Sequence, residues 1–199
     1  MSFAKAFDSM SEQDIAEFAV AAVNEAPASD AADDSYALQH SHLVRAFALA
    51  DFSQSETLTA LALAVYGWMP GIPRNLIDEK KRPRTAEMLS KLQCGDLSQC
   101  SDMRFINGSV IGTSKFLHFL RPETFAIWDT NVAIALAYPD SWSGAAKAPV
   151  HRSVDNEDRY RKYLRGLSLA QNSENLRELE FALFRLGKRM RARTSGADA

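Results

Sequence analysis

The sequence predicts an all-α fold, on three observations. Apolar residues recur at three- and four-residue spacings along most of the chain. No stretch alternates apolar and polar residues between turn signals, so no strand is expected. Cap residues also stand where the periodic segments begin and end.

Ser11, with Glu12 and Asp14 behind it, opens a helix to about Ala26 that carries Ile15, Phe18, Ala19 and Ala22 on one face. Acids in that first turn suit the positive end of the helix dipole. An acidic loop over 27–35 leads to a helix over about 36–51, with Leu38, Leu43, Phe47 and Ala50 inward. Ser55 and Glu56 cap the next, which carries Leu58, Leu61, Leu63, Val65 and Tyr66. Gly67-Trp68-Met69-Pro70-Gly71-Ile72-Pro73 cannot continue a helix. Beyond the basic patch at 80–84, a helix over about 84–93 ends at Gly95, and a shorter one over about 97–107 stops at Asn107-Gly108. Further helices are expected at about 113–121, 130–138, 155–170 and 173–192, with 139–153 irregular.

At 199 residues the chain reads as one compact multi-helix domain with a helix–hairpin–helix-like element near 97–121 and a disordered tail over 193–199. Its charge is segregated. Residues 1–60 hold ten acids against Lys5 and Arg45, a net of −8, whereas residues 61–199 hold 21 bases against 15 acids, a net of +6. Such asymmetry suits an anionic partner for the basic remainder, and equally a dispersed solvated charge. Cys94 and Cys100 alone cannot build a disulfide framework, a four-cysteine zinc site or an iron–sulfur site within one chain, so reduced thiols are expected. His40 and His42 are two apart on a helix and point in different directions, and no metal or other cofactor is expected. The N-terminus lacks the apolar core of a signal peptide, and the most apolar run, Ala60 to Met69, is too short for a membrane span; a cytoplasmic protein without a membrane partner is expected.

Chemistry-bearing residues are densest over 107–136. Gly108 and Gly112 punctuate a turn, Lys115 follows in the first turn of the predicted helix, and Asp129 begins the next one. A glycine turn of this kind presents backbone N–H groups that bind phosphate without reading sequence. A lysine at a helix start has its charged form disfavoured, which makes an amine nucleophile. Each feature also has a plain structural account: glycines that let two helices meet, a solvated lysine, and an aspartate that caps its helix.

The run Pro122-Glu123-Thr124-Phe125-Ala126-Ile127-Trp128-Asp129-Thr130-Asn131-Val132 resembles the segment around the catalytic aspartate of helix–hairpin–helix DNA glycosylases. Upstream, Val110-Ile111-Gly112-Thr113-Ser114-Lys115 resembles the hairpin and Schiff-base lysine of the 8-oxoguanine type. The resemblance implies an all-α enzyme that flips a modified or damaged base out of duplex DNA and excises it. On this reading Lys115 is the nucleophile, able to support lyase chemistry, and Asp129 the catalytic carboxylate. Gly108, Ser109, Gly112, Thr113 and Ser114 would contact DNA through the hairpin, and Arg82 and Arg84 through the basic patch. Trp68, His118 and Trp128 would line a base pocket. Phe119 and Phe125 are further stacking candidates, and for all the aromatics a core position is the competing account. Arg74, Lys80, Lys81, the group Arg159, Arg161, Lys162 and Arg165, and the run Arg185, Lys188, Arg189, Arg191 and Arg193 could track a phosphate backbone. The alternatives are a non-catalytic helix–hairpin–helix module that binds DNA and a helical interaction protein with no nucleic-acid role.

Overall fold

The structure, a computed structural model, describes residues 3–26, 31–67, 76–96, 98, 100–137, 151–171 and 174–195. The described residues are helical, with no strand. Among the described residues ten helices run in chain order: α1 Phe3–Ser9, α2 Glu12–Glu25, α3 Ala31–Ala48, α4 Ser55–Gly67, α5 Arg82–Gln93, α6 Val110–Leu120, α7 Thr130–Ala137, α8 His151–Val154, α9 Glu157–Ala170 and α10 Leu176–Ser195. They form two compact units, one of residues 1–28 with 126–199 and the other of residues 29–125.

In the first unit α10 lies against α7, α2 and α9, and α1 against α7 and α8. The start of α2 follows from its cap: the Ser11 hydroxyl accepts from Asp14 N–H while the Asp14 carboxylate accepts from Ser11 N–H. Ile15, Ala19 and Ala22 are buried as the periodicity requires, while Phe18 sits part-way. Phe7, Trp128, Tyr160 and Tyr163 are the largest buried side chains, and the Trp128 ring lies 5.4 Å from Phe7 and 5.0 Å from Tyr163. Neither α1 nor α8 is expected from the sequence: α1 packs its Phe3, Ala6 and Phe7 stripe into only seven residues, and α8 has four.

In the second unit α6 is the central helix, packed by α3 and α4. Phe47 of α3 meets Phe116 edge-on at 4.7 Å and Phe119 at 5.8 Å, while Phe105 meets Phe116 at 5.5 Å. Two expected inward residues are exposed: Leu38 at 63% and Leu63 at 50%. Neither Cys94 nor Cys100 is in a disulfide.

The helix expected over 97–107 is absent from its described part, where residues 103–108 form turns. Side chains and a distant carbonyl take the amides that a helix would need. Asp102 accepts from Arg104 N–H, Thr113 Oγ1 accepts from Ile106 N–H at 3.1 Å, and Leu76 O accepts from Asn107 N–H at 2.9 Å. Asn107 and Gly108 then both adopt left-handed backbone angles, φ 54° and 63°, which ends any helical continuation. The chain accordingly enters α6 from a run of turns rather than from a paired helix. At the far end α10 continues through Ser195, so residues 193–195 are helical, contrary to the expected tail; residues 196–199 lie outside the described residues.

Candidate functional site

Asp129 stands at the end of a buried irregular segment, Phe125 to Trp128, of which no residue is more than 4% exposed. Two ring donors hold that segment from Ala126 onward within the first unit. Tyr160 Oη donates to Ala126 O at 3.1 Å, and Trp128 Nε1 donates to Val154 O at 2.7 Å. The chain then turns into α7, and Asp129 caps it: Oδ1 accepts from Asn131 N–H at 2.8 Å and Val132 N–H at 3.0 Å. The capping account weighed in the sequence is therefore realised, and it fixes the carboxylate while leaving it half-buried.

Helix α10 approaches this turn closely, because Gly187 faces Asn131. A Cβ at Gly187 would sit 1.9 Å from the Asn131 carbonyl oxygen. Behind the turn, Glu180 is 1% exposed and accepts from the Arg177 guanidinium. The Tyr163 hydroxyl is buried without a hydrogen-bond partner. Burial, then the charges of Glu180, Tyr160 and Asp129, holds the Tyr163 phenol well above its ordinary range. Sequence reading missed Gly187, Tyr160, Tyr163 and Glu180. The available signal was a lone glycine inside a helical run, which marks a close approach.

Lys115 belongs to the second unit and is half-buried on α6. Ser109 caps that helix by accepting from Gly112 N–H at 3.3 Å, so α6 begins at Val110. Lys115 consequently lies in the second turn rather than the first, and the helix dipole acts mainly within the first turn. The hairpin residues are likewise used internally. Gly112, Thr113 and Ser114 are buried, Thr113 holds Ile106, and Ser114 Oγ donates to Ile111 O. At Gly112 a Cβ would meet the Tyr66 hydroxyl at 2.9 Å, so this glycine serves α4–α6 packing. Ser109 is spent on the cap, and only Gly108 of the five expected hairpin contacts is exposed.

The expected base pocket also changes. Trp128 is fully buried in the first unit, its ring packed and its N–H satisfied, so it is a core residue and not a stacking platform. Phe119 and Phe125 are likewise core residues of the second unit. His118 is fully buried in that unit: Nδ1 donates to Phe125 O at 2.8 Å, and its Nε2 is 2.7 Å from His40 Nε2. Trp68 and Arg74 lie outside the described residues.

Of the basic groups, Arg82 is bound to Glu79 and to the Thr59 hydroxyl. Hydrogen bonding to Glu79 raises the Arg82 pKa above its ordinary value. Arg84 is exposed and borders a cleft of about 280 Å³ with Lys81, Thr85, Met88, Ser101 and Asp102. Arg159 is paired with Asp8, Arg161 with Glu157 and Arg165 with Glu12. Among the described residues no group of three or more His, Cys, Asp or Glu is placed to hold a metal ion, and no helix is long and apolar enough to cross a membrane. Searches against known protein families, curated proteins and solved structures find no match.

Proposed function

We propose that this protein is a DNA glycosylase that excises a modified or damaged base, with Asp129 as its catalytic carboxylate. The observation that carries the reading is the Asp129 turn: a half-buried carboxylate, fixed by two backbone amides at a helix start, in the segment that resembles the catalytic segment of helix–hairpin–helix glycosylases. In such excision the C1′–N bond breaks, its electron pair leaves with the base, and positive charge develops on the sugar ring. A fixed carboxylate stabilises that charge; water oxygen then bonds to C1′ and loses a proton. The lyase variant needs an amine in place of water, and Lys115, on the second turn of α6, belongs to the other unit, which favours the hydrolytic route.

The test is base release from duplexes that each carry one modified base, with abasic sites revealed as breaks by hot alkali. Release at one lesion supports the reading, and borohydride trapping of a Lys115-dependent adduct would add the lyase step. No release from any lesion, with duplex still bound, supports the second reading, a non-catalytic DNA-binding module. That reading is favoured by the acid-free second half of α10.

A further inference from the structure

Helix α5 begins without a cap. Lys81, at the N-cap position, makes no side-chain cap bond, Pro83 has no N–H, and no acid stands in the first turn. The Arg84 N–H, the amide that an N-cap side chain satisfies elsewhere, has no hydrogen-bond partner among the described residues. Lys81, Arg82 and Arg84 thus stand at the positive end of the helix dipole, where cations are disfavoured. Arg82 is taken up by Glu79 and Thr59, whereas Lys81 and Arg84 line the cleft of about 280 Å³. Thr85 is a second and independent observation. It is only 4% exposed and lines the same cleft, yet its hydroxyl has no hydrogen-bond partner among the described residues. The buried Met88, the exposed Ser101 and Asp102 complete the lining. One Asp102 oxygen accepts from Arg104 N–H at 2.8 Å, and the other meets Lys81 Nζ at 3.4 Å, a long contact to a side chain that is 56% exposed.

We propose that this cleft binds a small hydroxylated phosphate monoester, a sugar phosphate in class. The Arg84 N–H and guanidinium, the Lys81 ammonium and the Thr85 hydroxyl are the donors for the phosphoryl oxygens. A monoester dianion matches the two cations in charge. Ser101 and the Asp102 carboxylate are partners for ligand hydroxyls, and Met88 gives the carbon skeleton an apolar wall. The volume is that of a small-ligand pocket. Asp102 also argues against a nucleic-acid backbone as occupant, because a carboxylate among the cations repels a run of phosphodiesters. All six lining residues belong to the second unit and Asp129 to the first, so the proposal goes beyond base excision and does not depend on it.

Isothermal titration calorimetry of the full chain tests it with ribose 5-phosphate, glucose 6-phosphate, neutral ribose and inorganic phosphate. At least one sugar phosphate is expected to bind, ribose is not, and inorganic phosphate is expected to bind more weakly. Arg84→Gln should weaken sugar-phosphate binding about tenfold, and Thr85→Val, which keeps the buried shape and removes the hydroxyl, about fivefold. Melting temperatures identify any variant that is misfolded; Arg84 is exposed, so its substitution reads binding even if Thr85→Val unfolds. Asp102→Asn should narrow the preference for the sugar phosphate over inorganic phosphate, a change that a purely structural role would not produce. No binding of either sugar phosphate at millimolar concentration and low salt overturns the proposal, as does affinity unchanged in Arg84→Gln. Equal affinity for inorganic phosphate overturns the monoester class. Displacement of the sugar phosphate by a duplex without terminal phosphates would instead assign the cleft to a nucleic-acid backbone and overturn it too.

Discussion

His118 shows how a residue type that suggests chemistry can be committed to structure. The Phe125 carbonyl can only accept, so His118 Nδ1 carries a proton. With His118 neutral, Nε2 is then an acceptor and takes the His40 Nε2–H at 2.7 Å. Replacing His40 by Ala leaves a buried acceptor without that donor, a cost of about 1–3 kcal/mol. Urea unfolding should therefore show a lower midpoint for His40→Ala with little change in slope; an unchanged midpoint would mean that the contact is energetically silent. Asp129 differs from His118 in legibility. An aspartate before Thr-Asn-Val is a cap signal that can be read locally, and both amide bonds are present. The burial of Trp128 was not readable, since it depends on Phe7 and Tyr163, far away in sequence.

Among the helices, local signals gave good boundaries where a cap or a strong stripe exists. Ser11 and Asp14 start α2, and Asn156 accepts from Arg159 N–H to start α9, whereas Ser109 starts α6 at Val110, ahead of the expected start near 113. The prediction failed over 97–107, where Thr113 and Leu76 compete for the backbone amides, a contest that only tertiary contacts decide. Gly187 belongs to the same class. Within α10 it reads as a helix-weakening residue, yet it gives α10 room beside Asn131. Gly187→Ala forces a Cβ to 1.9 Å from a backbone oxygen, so its small gain in helix propensity is outweighed by overpacking of about 3 kcal/mol. Thermal unfolding should fall by several degrees; a rise would show that α10 and α7 can separate at little cost.

The charge segregation of the whole chain was legible, but part of its meaning lies within the molecule. The first unit joins residues 1–28 to 126–199, so acidic α2 and Asp8 of α1 meet basic α9, and Asp8 binds Arg159 at 2.8 Å while Glu12 binds Arg165 at 2.5 Å. Hydrogen bonding to Arg159 lowers the Asp8 pKa below its ordinary 3.8. Its stabilisation is thus present above the unfolded value and lost as pH falls through the lower folded value. Because the Asp8 carboxylate is half-exposed to solvent, the effect is at most about 1 kcal/mol. Asp8→Asn should be less stable at neutral pH, with the difference vanishing in acid; an equal difference at every pH would contradict the pairing account. Pairing of this kind absorbs Arg159, Arg161 and Arg165 of α9. The central claim rests on Asp129, and the most direct measurement is single-turnover base excision by Asp129→Asn on the duplex that the unmodified chain cleaves. Asparagine keeps the capping oxygen, so folding and duplex affinity should persist while excision falls at least roughly 100-fold. Excision at the full rate by a folded Asp129→Asn protein would contradict the account.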